Sequence, residues 1–218
     1  VVSGLIGVGK STFAEDLAKL LGYRAIYEPV ESNPYLARFY QDPHKWAYPM
    51  QEWLKSRRFA SYQFAFWGLR HGEFPGVVLD RSIHEDTVFA EINNRLGTIS
   101  DLDWATYLRG FQDFQAFLPE PDVYVFLDAP PEVCRQRSLL RDRPEEKSTG
   151  FDDQSVGIPL AYFKRLHDGY VKWIDSIAAR VQVAKIDWRE FKPVADVWSL
   201  VLVGIRERTR FSRSLVSP

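Results

Sequence analysis

The chain has 218 residues, with 28 Lys and Arg against 29 Asp and Glu for a net charge of −1. That is enough length for one well-buried core, and it lacks the overall basic field of a dedicated nucleic-acid binder. Its single cysteine, Cys134, excludes an internal disulfide and a cysteine-based zinc site and fits a reducing cytoplasm, and no secretory or membrane-spanning stretch argues for a membrane partner.

In chain order, the β-favouring run Val1-Val2-Ser3 leads into GLIGVGKS at Gly4 to Ser11, which fits G-x-x-x-x-G-K-[ST] and precedes a helical pattern over Lys10 to Leu21. Because the chain opens inside this strand without an initiator Met, a few residues are expected to precede Val1. A second run, Ala25-Ile26-Tyr27, ends at Glu28-Pro29. Helical patterns follow over Pro34 to Gln41 and Trp46 to His71. The third run, Val77-Val78-Leu79, ends at Asp80-Arg81, with helices predicted over Ile83 to Asn94 and Leu102 to Phe117. The fourth, Val123 to Leu127, ends at Asp128 and is followed by a helix over Pro131 to Arg141. Lys147 to Val156 reads as a loop, then come a helix over Pro159 to Ala179, a fifth run over Val181 to Ile186 and a last helix over Pro193 to Arg208. The alternation predicts an α/β fold with a parallel five-stranded sheet flanked by helices, in a single domain over 1–218. Ligands bind beyond the carboxyl ends of such strands, so Gly4 to Ser11, Glu28 and Asp80 should converge on one crevice.

Phosphoryl transfer needs a cradle, a metal anchor, cations to spread charge and a means of orienting the nucleophile. Gly4, Gly7 and Gly9 leave the loop backbone free to wrap a polyphosphate. Lys10 adds charge, and Ser11, followed by Thr12, adds a hydroxyl ligand for Mg2+. Asp80 can orient the same magnesium, or else cap the next helix. Arg81 can reach a phosphate oxygen or the acceptor. Arg135, Arg137, Arg141 and Arg143 suggest a closing lid over about 135–156, although an Arg-rich helix can equally be a solvated face. Glu28 is suited to take a proton from an alcohol acceptor, whereas a phosphate acceptor would need a cation there. Gln51, Leu54 and Arg58 share one helix face and suit the edge of a nucleobase. For most of the rings around them, packing is the preferred reading. His44, His71, His84 and His167 show no metal-ligand spacing.

Taken together, GLIGVGKST at Gly4, EPV at Glu28, YQDPHKW at Tyr40 to Trp46, the Gln51 helix, DRS at Asp80, the Arg-rich segment and GIPLAYF from Gly157 resemble the deoxyribonucleoside kinases. The resemblance runs through nearly the whole chain. It implies a P-loop kinase fold, ATP as donor with Mg2+, a cytoplasmic homodimer, and a deoxyribonucleoside acceptor phosphorylated on its 5′-hydroxyl. Glu28 would be the base, and Arg81 would lie beside it on the reacting phosphate. Tyr40 and Glu146 would hold the 3′-hydroxyl. Gln51 would read the base, with Trp46 and Phe39 as walls. Arg58 and Asp86 would favour an amino-bearing base, deoxyadenosine first and deoxycytidine or deoxyguanosine behind it. Glu190 and Phe191 resemble the loop beside the donor's adenine. DRS stands where the animal-type members have ERS, and Lys147 to Val156 separates Glu145-Glu146 from GIPL. A nucleoside monophosphate kinase and a non-catalytic ATP-binding module are the alternative readings.

Overall fold

The computed structural model describes residues 1–30, 32–141, 143–146 and 157–214, with side chains up to Ile205. The loop expected over Lys147 to Val156, and with it much of the expected lid, lies outside the described residues. Among the described residues five strands form: β1 (Val2–Gly4), β2 (Arg24–Ile26), β3 (Val77–Leu79), β4 (Val123–Asp128) and β5 (Gln182–Asp187). Parallel ladders join β1 to β4, β4 to β5 and β2 to β3, and a parallel bridge between Val2 and Asp80 links the two groups. The order is therefore β2-β3-β1-β4-β5, in a parallel five-stranded sheet of the kind that the alternation of runs predicted. The chain leaves β1 towards one side of the sheet and returns to β4 on the other, which opens a crevice at the carboxyl end of β1.

The helices are α1 (Lys10–Leu21), α2 (Leu36–Gln41), α3 (Pro43–Arg70), α4 (Asp86–Arg95), α5 (Asp101–Gln115), α6 (Pro131–Arg141), α7 (Leu160–Ile177) and α8 (Val194–Ser214). Most helix starts lie within two residues of expectation, and two differ for a local reason. α3 begins three residues before Trp46, because Asp42 caps it by accepting from the Lys45 N–H at 3.2 Å and Pro43 occupies its first turn. The helix expected from Ile83 opens as a 3-10 turn, Ile83–Glu85, closed by a reciprocal capping box between Ser82 and Glu85. That turn sets the direction of the chain directly after Asp80 and Arg81.

α7 seals the sheet. Tyr162, Phe163, Leu166, Tyr170, Ile174 and Ile177 recur every three or four residues and are all buried. Tyr170 packs its ring on Phe126 of β4, Phe89 of α4 and Trp173, so one side chain touches the sheet and α4 beneath the crevice. Truncating Ile174, which has no exposed surface, should cost about 3 kcal/mol, from lost burial plus an unfilled cavity. Urea unfolding of Ile174→Ala would measure this. A loss under about 1 kcal/mol would mean that α7 does not seal the core. Among the described residues no helix is long and apolar enough to cross a membrane.

Candidate active site

The loop between β1 and α1 turns so tightly that its glycine positions leave no room for a side chain. Gly7 has φ 73°, and a Cβ there would lie 2.4 Å from the carbonyl of Cys134 in α6. Gly9, at φ 103°, is the N-cap of α1. Lys10 is buried, and its Nζ donates to the Leu5 carbonyl at 2.7 Å, so the ammonium is folded over the loop. Burial, with Arg81 nearby, lowers its pKa to about 8 against the pull of Asp80 and Glu28. Ser11 Oγ donates to Asp80 Oδ2, while Asp80 Oδ1 is buried without a hydrogen-bond partner. A buried carboxylate oxygen left unpaired beside a hydroxyl fits a hard cation. Among the described residues no group of three His, Cys, Asp or Glu gathers that could hold a metal. A cation at Ser11 and Asp80 would therefore complete its shell with phosphate oxygens and water.

The second strand ends at Glu28, across the crevice. Arg81 Nε donates to its Oε2 at 2.9 Å, and Arg58 Nη2 donates to its Oε1. Burial alone would raise this carboxyl, but Arg58, Arg81 and Lys10 outweigh it and hold the pKa near 2. Glu28 is thus an ionised, doubly pinned acceptor. Arg81 is the described non-glycine residue with positive φ, at 67°. Its N–H pairs with the Val2 carbonyl at 3.0 Å, and its Nη1 donates to the Tyr170 hydroxyl and lies 3.7 Å from Glu85 Oε2.

These groups open into one cavity of about 1090 Å3. Its walls include Gly7, Gly9, Lys10, Ser11 and Thr12 on one side, Glu28, Phe39, Tyr40, Gln51, Leu54 and Arg58 on the other, Asp80 and Arg81 between them, and Arg137, Arg141, Arg143, Glu146 and Phe191 around the rim. Gln51 is completely buried, with neither carboxamide atom partnered. Arg58 Nη1 donates to Asp86 Oδ1, which leaves Arg58 Nε and Asp86 Oδ2 buried and unpaired. Burial pushes the Asp86 carboxyl up to about 7 even with Arg58 beside it.

Some expected residues are placed otherwise. Trp46 is not on the cavity wall. It packs against Tyr35 at 5.9 Å with Arg38 and Lys45 about its ring at 5.0 and 5.1 Å, an arrangement in which the cations hold the indole. Asp86 lies behind Arg58 and does not line the cavity, nor do Gly4 and Glu190. Arg137 is occupied: its guanidinium donates to the carbonyls of Trp188 (3.0 Å) and Arg189 (2.8 Å) and sits 4.2 Å from the Phe191 ring, so it ties α6 to the segment after β5. Arg135 donates to the Ile158 carbonyl at 3.2 Å, away from the cavity. Arg141 and Arg143 both point at Glu146.

Sequence reasoning missed Met50, Phe89 and Tyr162, which also line the cavity, and Tyr170, which holds Arg81. Phe89 lies three residues after Asp86 and so shares its helix face, a signal that was available. Tyr170 gave none, since it is 89 residues from its partner.

Residues 1–199 match a family model described as deoxynucleoside kinase. A deoxyadenosine kinase of Dictyostelium discoideum is 37% identical over 190 residues, covering 87% of this chain and 72% of that protein. A deoxyguanosine kinase of the same organism is 35% identical, covering 88% and 64%. A deoxyadenosine/deoxycytidine kinase of Bacillus subtilis is 34% identical, covering 82% and 77%. Among solved structures, a deoxyadenosine kinase from M. mycoides with bound dCTP superposes with a TM-score of 0.76 over 95% of this chain and 98% of that one, at 23% identity.

Proposed function

We propose, on the premise that this chain belongs to the deoxynucleoside kinase family and phosphorylates deoxyribonucleosides with ATP as donor, that its preferred acceptor is deoxyadenosine, with deoxycytidine and deoxyguanosine behind it. The observation that carries this preference is Gln51, buried on the cavity wall with a free donor and a free acceptor. An adenine edge offers the complementary pair, the N6 amino group and N1. Cytosine offers a similar pair, so the second layer decides. Arg58 Nε is an unpaired donor suited to N7, which pyrimidines lack, and the Asp86 carboxylate behind it disfavours the carbonyl that guanine carries at that edge.

In this reading the acceptor's sugar lies between Tyr40 and Glu146, both buried at the cavity wall. Burial and then the charge of Glu146 raise the Tyr40 phenol well above its usual range, so it stays a neutral donor. Glu28 orients the 5′-hydroxyl and receives its proton, and Arg81 steadies Glu28 beside the group being transferred. The glycine loop and Lys10 cradle the donor's phosphates, with Phe191 and Glu190 towards its adenine. Magnesium held by Ser11, Asp80 and the phosphates would supply charge neutralisation. Arg141 and Arg143, on the rim of the same cavity, would turn to the phosphates as a lid requires. The whole chain would act as one domain, as a cytoplasmic homodimer, with exposed Leu102 in the first turn of α5 and Phe117 just beyond its end among the apolar surface that association could cover.

Steady-state kcat/KM for the four natural deoxynucleosides, with dAMP as a fifth acceptor, tests the assignment. Deoxyadenosine should lead thymidine by about a hundredfold or more, because thymine would bring its carbonyl and methyl to Arg58, the cavity-lining member of the Arg58–Asp86 pair. Thymidine as best substrate would overturn the reading of that pair. Turnover of dAMP above deoxyadenosine would overturn Glu28 as the acceptor's base.

A further inference from the structure

Ser138 lies in the last turns of α6 and is 6% exposed. Its hydroxyl donates to Glu146 Oε2 at 2.7 Å. The other carboxylate oxygen, Oε1, accepts from Arg141 Nη2 at 2.6 Å and from Arg143 Nη1 at 3.3 Å. Ser138 also touches the phosphate-binding loop. A Cβ on Gly7 would come within 2.9 Å of the Ser138 N and 3.1 Å of its Cβ, so the loop backbone rests directly on this residue. One small side chain therefore joins the donor loop to a buried carboxylate on the acceptor side.

We infer that Ser138 is a positioning residue for the acceptor's sugar: its hydroxyl fixes one oxygen of Glu146, so that the carboxylate faces the cavity and holds the 3′-hydroxyl in register with the phosphate-binding loop. The inference rests on the proposed role of Glu146 in binding that hydroxyl. Two guanidinia stand beside Glu146, and a carboxylate free to rotate meets such partners with both oxygens. The Ser138 proton prevents this by occupying Oε2. An apolar residue at 138 would leave Oε2 buried and unpaired until the carboxylate turned to Arg141 and Arg143, away from the sugar. A side chain at position 7 would collide with Ser138, so the glycine loop keeps its close seat on the residue that fixes Glu146.

The test is the preference for a 2′-deoxynucleoside over the 2′,3′-dideoxynucleoside of the same base, taken as a ratio of kcat/KM values within each protein preparation. Any loss of folded enzyme cancels in that ratio. The unaltered protein should favour the 3′-hydroxyl by about a hundredfold. In Ser138→Ala the preference should fall about tenfold, chiefly through the deoxynucleoside's KM, while the dideoxynucleoside is handled within twofold of the unaltered protein. Glu146→Gln should lose most of the preference. If Glu146→Gln loses it and Ser138→Ala keeps it, the role of Ser138 is wrong and that of Glu146 stands. If Glu146→Gln keeps it, the sugar contact is wrong and the inference falls with it.

Discussion

Glu28→Gln should lower kcat by about a thousandfold while changing the KM for deoxyadenosine by less than about threefold. The amide keeps the shape of the carboxylate and can still accept one hydrogen bond from Arg81 or Arg58, so the acceptor continues to be placed. It cannot take the proton. Turnover near that of the unaltered enzyme would remove Glu28 from the chemistry. The same residue sets an expectation for pH. With its pKa near 2, Glu28 is ionised throughout the working range, and kcat/KM should show no limb from it above about pH 4. The acid side should instead bend near neutrality, where Asp86 titrates, and Asp86→Asn should remove that bend. On the alkaline side, the free enzyme should lose activity through about pH 8 as Lys10 gives up its charge. For stability the sign is that of a depressed acid: the pairing of Glu28 with Arg58 and Arg81 contributes fully above its ordinary value of 4.5 and is lost as pH falls towards 2.

What could be read before folding was chemistry placed at strand ends. The glycine loop, Glu28 and Asp80 each follow a short apolar run, and a parallel sheet sends all such ends to one edge, so their convergence was determined once the alternation was seen. Gln51 and Arg58 were legible for a related reason: helical spacing put them on one face, and the cavity lies against it. Trp46 was misread because an aromatic beside these residues is equally able to leave the wall when two cations, Arg38 and Lys45, hold it elsewhere. Arg137 looked like one cation of an Arg-rich lid, yet its donors are taken by carbonyls more than fifty residues away, which no local pattern announces. Ser138 is the converse. It lies only eight residues from Glu146 but carries no motif, and its importance appears when the Gly7 backbone is found resting on it.

Arg81→Lys should reduce kcat by about a hundredfold, because the arginine holds three groups that an ammonium cannot hold together. Its Nε reaches Glu28, its Nη1 reaches the Tyr170 hydroxyl, and the same nitrogen lies 3.7 Å from Glu85. Burial works against the charge, but Tyr170, Glu28 and Glu85 more than compensate and raise its pKa further, so Arg81 is a permanent cation. The backbone carries the cost of this placement: φ of 67° in a side-chain-bearing residue is unfavourable by about 1 kcal/mol. That strain is sustained by the Arg81 N–H to Val2 and by the Ser82–Glu85 capping box that follows at once. It also turns the chain so that Asp80 faces Ser11 while its neighbour faces Glu28. Lysine would keep one charge near Glu28 but release Tyr170 and leave the carboxylate held mainly by Arg58. If Glu28 and Arg81 act as a unit, the double variant Glu28→Gln/Arg81→Lys should be only slightly slower than Glu28→Gln alone, since a guanidinium that positions a base has nothing left to position once the base is gone. Losses that multiply to about a hundred-thousandfold would mean that Arg81 acts on the transferring phosphate independently of Glu28.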